Sequence, residues 1–204
     1  MEERTEQLRK IKDEIVGAKN SPLHDFRIKN KFLPVIGEGD HYAKIIFIGE
    51  APGKNEALTG RPFCGAAGKI LDELLQSIGI DRKEVYVTNI VKDRPPFNRD
   101  PLPEEIEFYA PFLDRQIEII RPEAIATLGR FSMDYIMKKF QPKADQPLAG
   151  GESISALHGK TFTAKTSYGE VKIIPLYHPA VAIYNIHEKE TLKKDFEILK
   201  KFAK

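Results

Sequence analysis

The sequence predicts an α/β fold: a three-layer α/β/α sandwich around a central, mainly parallel, four-stranded sheet. Three observations carry that reading. Short apolar runs rich in Ile and Val, at 44–49, 85–90 and 124–129, have the character of strands buried on both faces. Stretches with apolar residues at helical spacing separate them. Alternating strands and helices of this kind build a parallel sheet covered by helices on both sides.

The elements follow in chain order. Leu8, Ile11, Ile15 and Val16 put one apolar stripe on a helix over 2–19. A loop with SPLHDF and two glycines, Gly37 and Gly39, leads to the first strand, KIIFIG. The next segment, 50–68, is dense in Gly and Pro and long for a simple connection, which marks it as functional. Ile70, Leu71, Leu74, Leu75 and Ile78 define a helix ended near Gly79. VYVTNI is the second strand, and a Pro-rich loop fills 91–103. Pro103 opens a helix to residue 120, with Glu104 and Glu105 in its first turn, where carboxylates suit the helix dipole. AIATLG is the third strand, followed by a helix over 131–140. Residues 141–158 read as a polar, Gly- and Pro-rich insertion. Residues 161–178 form a hairpin around Tyr168-Gly169, whose second arm enters the core as the fourth strand. A basic helix over 188–203 closes the chain.

Composition narrows the function classes. Of 204 residues, 41% are hydrophobic, enough for the core of one domain spanning 1–204. No apolar run approaches the roughly 18–20 residues that cross a bilayer, and MEERTEQLRK lacks a signal-peptide core. A cytoplasmic, monomeric protein without a membrane partner is expected. Lys and Arg total 32 against 30 Asp and Glu, a net charge of +2 that neither requires nor excludes nucleic acid. One cysteine, Cys64, excludes an intramolecular disulfide and any all-cysteine zinc or iron–sulfur site within one chain.

In a parallel sheet the ligand site lies beyond the carboxyl ends of the strands. Glu50, Asn89 and His178 all fall at or just past predicted strand ends. Asn89 offers an amide acceptor and donors that pair with a carbonyl beside an N–H on a base edge. Phe63 offers a flat face for stacking. His178 can donate to an oxygen gaining negative charge, and Glu50 can orient water. Together they describe a pocket for a flipped base leaving as an anion. Each also has a plainer role: a turn for Asn89, core for Phe63, a cap for His178, an exposed carboxylate for Glu50. GEAPG is neither GxGxxG nor GxxxxGK[ST], which disfavours a nucleotide cofactor.

Four ordered blocks carry a resemblance. They are Gly49-Glu50-Ala51-Pro52-Gly53 with Glu56, Gly60, Pro62-Phe63 and Gly65-Ala66-Ala67-Gly68; then Val87-Thr88-Asn89-Ile90-Val91-Lys92, Arg94-Pro95-Pro96 and Asn98-Arg99-Asp100-Pro101; then Pro111-Phe112-Leu113, Gln116-Ile117, Arg121-Pro122 and Leu128-Gly129; and Tyr177-His178-Pro179-Ala180. This set resembles family 4 uracil-DNA glycosylases. The resemblance implies the same α/β/α sandwich and hydrolysis of the N-glycosidic bond of uracil in DNA, single- or double-stranded. It implies that Phe63 stacks on the base, Asn89 reads its O4 and N3 edge, His178 donates to O2 and Glu50 positions water or stabilises the cationic sugar. Glu56 would line the C5 side, and the backbone from Ala51 to Gly53 would add hydrogen bonds. No cofactor and no metal at the reacting bond are implied.

The chain departs from the family at the four cysteines that hold a [4Fe–4S] cluster. Flanking residues align those positions with Ala18, Ser21, Asp93 and Tyr109. No cluster is expected, since its iron wants thiolates. Packing is expected to replace it, with Tyr109 filling the volume and Phe26, Phe32 and Phe97 joining an apolar plug. Expected DNA contacts are Lys54, Arg61, Lys69, Arg94 and Arg99 on phosphates, with Ile183 or Tyr184 as the wedge in the base stack. The competing readings are a glycosylase for hypoxanthine or xanthine and an inactive DNA-binding relative. A covalent uracil-DNA trapping relative and a flavodoxin-like small-molecule enzyme rank below these.

Overall fold

The computed structural model describes residues 2–144 and 153–203. The chain runs α1 (Glu2–Gly17), α2 (His24–Lys29), β1 (Glu38–Gly39), β2 (Ile45–Gly49), α3 (Lys54–Thr59), α4 (Ala66–Ser77), β3 (Tyr86–Asn89) and α5 (Pro103–Ile120). It continues through β4 (Ala124–Leu128), α6 (Arg130–Phe140), β5 (Lys143–Ala144), α7 (Ile154–Leu157), β6 (Phe162–Thr166), β7 (Gly169–Leu176), α8 (Val181–Tyr184) and α9 (Ile186–Phe196).

Among the described residues the sheet has seven strands, in the order β1-β3-β2-β4-β7-β6-β5. The four expected strands are its parallel centre, β3-β2-β4-β7. Antiparallel strands extend it at both edges, so a count of four is too small. The strands β1 and β5 have two residues each, too short to leave an apolar run in the sequence. The expected β6–β7 hairpin is present with both arms in the sheet, but it turns at Ser167-Tyr168, one residue earlier than expected, and Gly169 already pairs with Thr166.

The pleat explains the two helix layers. Successive side chains on β2 point to opposite faces. Ile46 and Ile48 join Leu8, Ile11 and Ile15 of α1, Leu113 and Ile117 of α5, and Met133 and Ile136 of α6. Ile45 and Phe47 join Leu71, Leu74 and Leu75 of α4, and Leu192 and Phe196 of α9. Both faces are covered, as the continuous apolar strand runs require. Each fully buried Phe or Ile here contributes about 1.5–3 kcal/mol of transfer free energy.

Three further boundaries differ from the sequence reading. The segment after residue 19 contains α2, and the Gly- and Pro-rich segment after β2 contains α3, each of six residues. Gly60, left-handed at φ 73°, ends α3 after one and a half turns, too few for a periodicity signal. The C-terminal helix begins at Ile186 and passes into a 3₁₀ segment, Glu197–Phe202. Of the 141–158 insertion, β5 and α7 are described; residues 145–152 lie outside the described residues.

The chain leaves β2 for β3 on one side, then crosses to β4 on the other. Such a reversal opens a crevice at the carboxyl ends of the strands. There the register sets Gly49 opposite Asn89. Pairing continues past both, with Ile90 N–H donating to Gly49 O and Val91 N–H to Glu50 O, each at 3.0 Å.

Candidate active site

A cavity of about 380 Å³ occupies this crevice. Glu50, Ala51, Gly53, Glu56, Phe63, Asn89, Arg99 and His178 line it, with Pro52, Ala67, Pro95, Asn98 and Ala180. Every expected catalytic and base-binding position therefore reaches one cavity. The strand ends supply Glu50, Asn89 and His178. Phe63 arrives from the loop between α3 and α4.

Close packing fixes that arrangement. Phe63 is left-handed at φ 48°, a cost of order 1–2 kcal/mol for a residue with a Cβ. Glu56 offsets it: its Oε1 accepts the N–H groups of Cys64 at 3.1 Å and Gly65 at 3.0 Å. The first turn of α4 locks the other side, where a Cβ on Gly68 would lie 1.7 Å from Phe63 O. The Phe63 ring then sits 5.6 Å from the His178 ring, tilted by 32°. Glu56 thus holds the loop that presents Phe63, besides lining the cavity.

The polar groups have defined states. Ala180 N–H donates to His178 Nδ1 at 3.2 Å. That bond leaves the proton of the neutral ring on Nε2, a donor for the cavity. Loss of hydration pulls His178 down to about 4, against the Glu56 charge, so the ring is neutral at physiological pH. Burial pushes Glu50 up to about 7; Asp100 adds to the shift and Arg130 opposes it. A carboxyl with that affinity is poised to exchange a proton near neutrality.

Behind Asn89 lies a buried polar network. Lys92, with no exposed surface, donates to Asn89 O at 2.6 Å, Gln116 Oε1 at 2.6 Å and Thr88 Oγ1 at 2.8 Å. Gln116 in turn donates to Ile36 O at 2.9 Å. Burial holds the Lys92 amine well below its usual value. The network fixes the peptide that carries Asn89. The sequence reading assigned no role to Lys92, although its place three residues after Asn89 in an apolar run is an unusual setting for lysine.

The chain matches the uracil DNA glycosylase superfamily over residues 36–201. It belongs to that superfamily. It is 44% identical over 197 residues to the type-4 uracil-DNA glycosylase of Sulfurisphaera tokodaii, covering 96% of this chain and 84% of that protein. It is 42% identical over 192 residues to the type-4 enzyme of Archaeoglobus fulgidus, covering 94% and 91%. It is 39% identical over 185 residues to that of Thermotoga maritima, covering 90% and 88%.

The cluster of the family 4 enzymes does not fit the residues this superfamily member carries. Tyr109 donates to Asp93 Oδ2 at 2.6 Å and shares a 2.5 Å hydrogen bond with Ser21 Oγ. Arg27 lies 3.6 Å from Asp93 Oδ2 and donates to Ile15 O at 3.2 Å and Val16 O at 3.1 Å. Ser21, Asp93 and Tyr109 offer only hard oxygens, linked through the Tyr109 hydroxyl beside a guanidinium, and Cys64 is elsewhere, beside Thr59. A polar relay therefore joins α1, α2, the loop after β3 and α5. The expected apolar plug is corrected accordingly. Tyr109 is fully buried but bonded through its hydroxyl, and Phe97 is 94% exposed. Phe26 and Phe32 do meet, at 6.0 Å.

The expected DNA-contact residues separate. Arg99 reaches the cavity, yet its guanidinium is bidentate on Glu105 at 2.9 and 2.5 Å. Arg94 donates to Asn98 Oδ1 at 2.7 Å just outside it. Arg61 and Lys69 line a second, larger cavity of about 750 Å³ that shares Phe63. Its charges pair among themselves, Arg61 with Glu38 at 2.9 Å and Arg82 with Asp72 at 2.7 Å, and it lacks the strand-end groups. Lys54 is exposed at the start of α3. Ile183, 38% exposed, lies three residues beyond Ala180 on α8; the Tyr184 side chain lies outside what is described.

Proposed function

We propose that this protein removes uracil from DNA by hydrolysing the bond between uracil N1 and the sugar C1′, the first step of base excision repair. One observation carries the reading: Asn89, Phe63, His178 and Glu50 converge on one cavity at the carboxyl ends of the parallel strands. The type-4 uracil-DNA glycosylases to which the chain is similar support it.

A flipped uracil stacks on Phe63. The Asn89 amide N–H donates to O4 and its Oδ1 accepts from N3–H. Cytosine presents an amine and a bare nitrogen at the same places, and both contacts fail. The bond from N1 to C1′ breaks with its electron pair going to the base. The resulting charge spreads onto O2, where His178 Nε2–H stabilises it. Glu50 faces the cationic sugar and takes the proton of the water that adds to C1′. Phosphate contacts fall to main-chain N–H groups and to the basic residues Lys54 and Arg94, next in sequence to the cavity-lining Gly53 and Pro95.

The test is release of uracil from a labelled oligonucleotide, with uracil opposite G, opposite A and in a single strand. Hypoxanthine, xanthine and thymine run beside it. Uracil release by the wild type, reduced about 100–1,000-fold in His178→Ala, is the expected result. Asn89→Ala loses uracil release likewise. Selective release of hypoxanthine or xanthine moves the specificity to those bases. Folded protein that binds DNA and releases nothing makes the chain a binding relative.

A further inference from the structure

Among the described residues Phe97 has the greatest exposure of the large apolar side chains, 94%, and it stands beside the cavity. Its neighbours Pro95, Asn98 and Arg99 line that cavity. The loop does not present the ring by default. Phe97 (φ 56°, ψ 19°) and Asn98 (φ 55°) are consecutive non-glycine residues in the left-handed region, where a side chain is disfavoured. Hydrogen bonds hold the loop on both sides: Asn98 N–H to Pro95 O at 3.2 Å, Arg99 N–H to Pro96 O at 3.1 Å, and Arg94 Nε to Asn98 Oδ1 at 2.7 Å. Arg99 is anchored in turn on Glu105. A pinned, disfavoured backbone that holds a phenyl ring in water points to a role in binding.

We infer that Phe97 is a stacking platform for a DNA base next to the flipped nucleotide on the same strand. The inference rests on the uracil-excision reading and extends it. A nucleotide seated in the cavity sends its strand out over the residues beside it, and Phe97 is one of them. Every base has a π face, so an aromatic ring grips the strand without choosing its sequence. The ring is free for that contact: it joins neither apolar cluster of the core. The type of residue fits, since phosphate-binding side chains place a strand and an aromatic face holds a base that has lost its neighbour. Ile183, on α8 beyond His178, is a separate apolar side chain and the better candidate for filling the gap in the duplex.

The experiment measures binding and chemistry separately. Binding is read by fluorescence anisotropy on an oligonucleotide carrying 2′-fluoro-deoxyuridine, whose glycosidic bond resists hydrolysis. Excision is read in single turnovers on ordinary uracil DNA. The proteins are wild type, Phe97→Ala, Phe97→Trp, Phe97→Gly, and Ile28→Ala as an exposed apolar control on α2. The inference expects Phe97→Ala and Phe97→Gly to bind about 5–100-fold more weakly, from the usual worth of one base–aromatic stack. It expects Phe97→Trp and Ile28→Ala to bind as the wild type does, and Tm to fall in none of the variants. Unchanged binding by Phe97→Ala overturns it, as does a Tm fall that accounts for the weaker binding. A wild type that binds DNA but releases no uracil defeats the excision reading alone, and the binding ratio still decides Phe97. A wild type that binds no DNA defeats both.

Discussion

Gly49 and Asn89 face each other across β2 and β3 so closely that a Cβ on Gly49 would lie 2.3 Å from Asn89 Oδ1. The same Cβ would lie 2.8 Å from the Phe63 ring. The absent side chain therefore makes room for the two groups assigned to read and stack on the base. Gly49→Ala is expected to cost about 1–3 kcal/mol of stability through overpacking. Excision by the folded fraction should fall further than stability does, because Asn89 and Phe63 are both displaced. Thermal melting beside single-turnover kinetics reads the two effects; a variant with normal excision would show that neither group acts on the base.

Glu50 sets the expected pH dependence. Its carboxyl is raised from the ordinary 4.5 to about 7, while His178 remains neutral down to about 4. Excision should rise with a single apparent pKa near 7 and level off above it, with no separate limb from His178 near neutrality. Measurement of kcat/KM across that range checks this. A profile flat through neutrality removes Glu50 from the proton transfer.

The same shift gives a stability test. A carboxyl whose folded value lies above its unfolded value binds its proton more tightly in the native state, so stability falls as pH rises from about 4.5 to about 7. Glu50→Gln cannot ionise. It should match the wild type in acid and melt higher than the wild type above neutrality, while losing excision. Melting curves at both ends of the range decide it.

Tyr109 is expected to matter for stability and not for chemistry. Tyr109→Phe leaves Ser21 Oγ and Asp93 Oδ2 without their shared partner in a buried site. Among the described residues Asp93 Oδ1 and Arg27 Nε already have no hydrogen-bond partner there, although Nε lies 3.6 Å from Asp93 Oδ2. The expected cost is about 1–3 kcal/mol, since Asp93 Oδ2 loses its hydrogen bond in a buried site while Ser21 Oγ keeps the Leu23 N–H at 3.2 Å. Excision by the folded variant should be normal, since Tyr109 does not line the cavity. A Tm equal to the wild type would assign the tie between α1 and α5 to packing instead.

Lys92→Met separates support from contact. The substitution keeps the apolar stem and removes the hydrogen bonds donated to Thr88 Oγ1, Asn89 O and Gln116 Oε1 and the longer contact with Ile36 O. A loss of about 2–4 kcal/mol is expected from the stranded acceptors. With the Asn89 peptide released, discrimination between uracil and cytosine should weaken, which a purely structural lysine would not change. Excision ratios on paired uracil and cytosine substrates report it.

The sequence by itself determined the parallel centre of the sheet and which strand-end residues line the cavity. Runs such as 45–48, apolar at every position, and 124–128, apolar but for Thr127, have that character because both faces are buried, and the pattern is local. Glu50, Asn89 and His178 are legible for the same reason: a strand end is a local feature, and parallel strands bring their ends together. Three kinds of feature were decided only in three dimensions. The edge strands and the helices α2 and α3 are too short for periodicity to mark. The relay of Ser21, Asp93, Tyr109 and Arg27 joins residues up to 88 positions apart, and residue types alone give apolar packing and hydrogen bonding equal standing there. Phe97 is the clearest case. Its composition reads as core, but two left-handed residues and a pinned turn hold it outside. Composition reports what a side chain prefers; the backbone around it decides whether that preference is met or held available for a ligand.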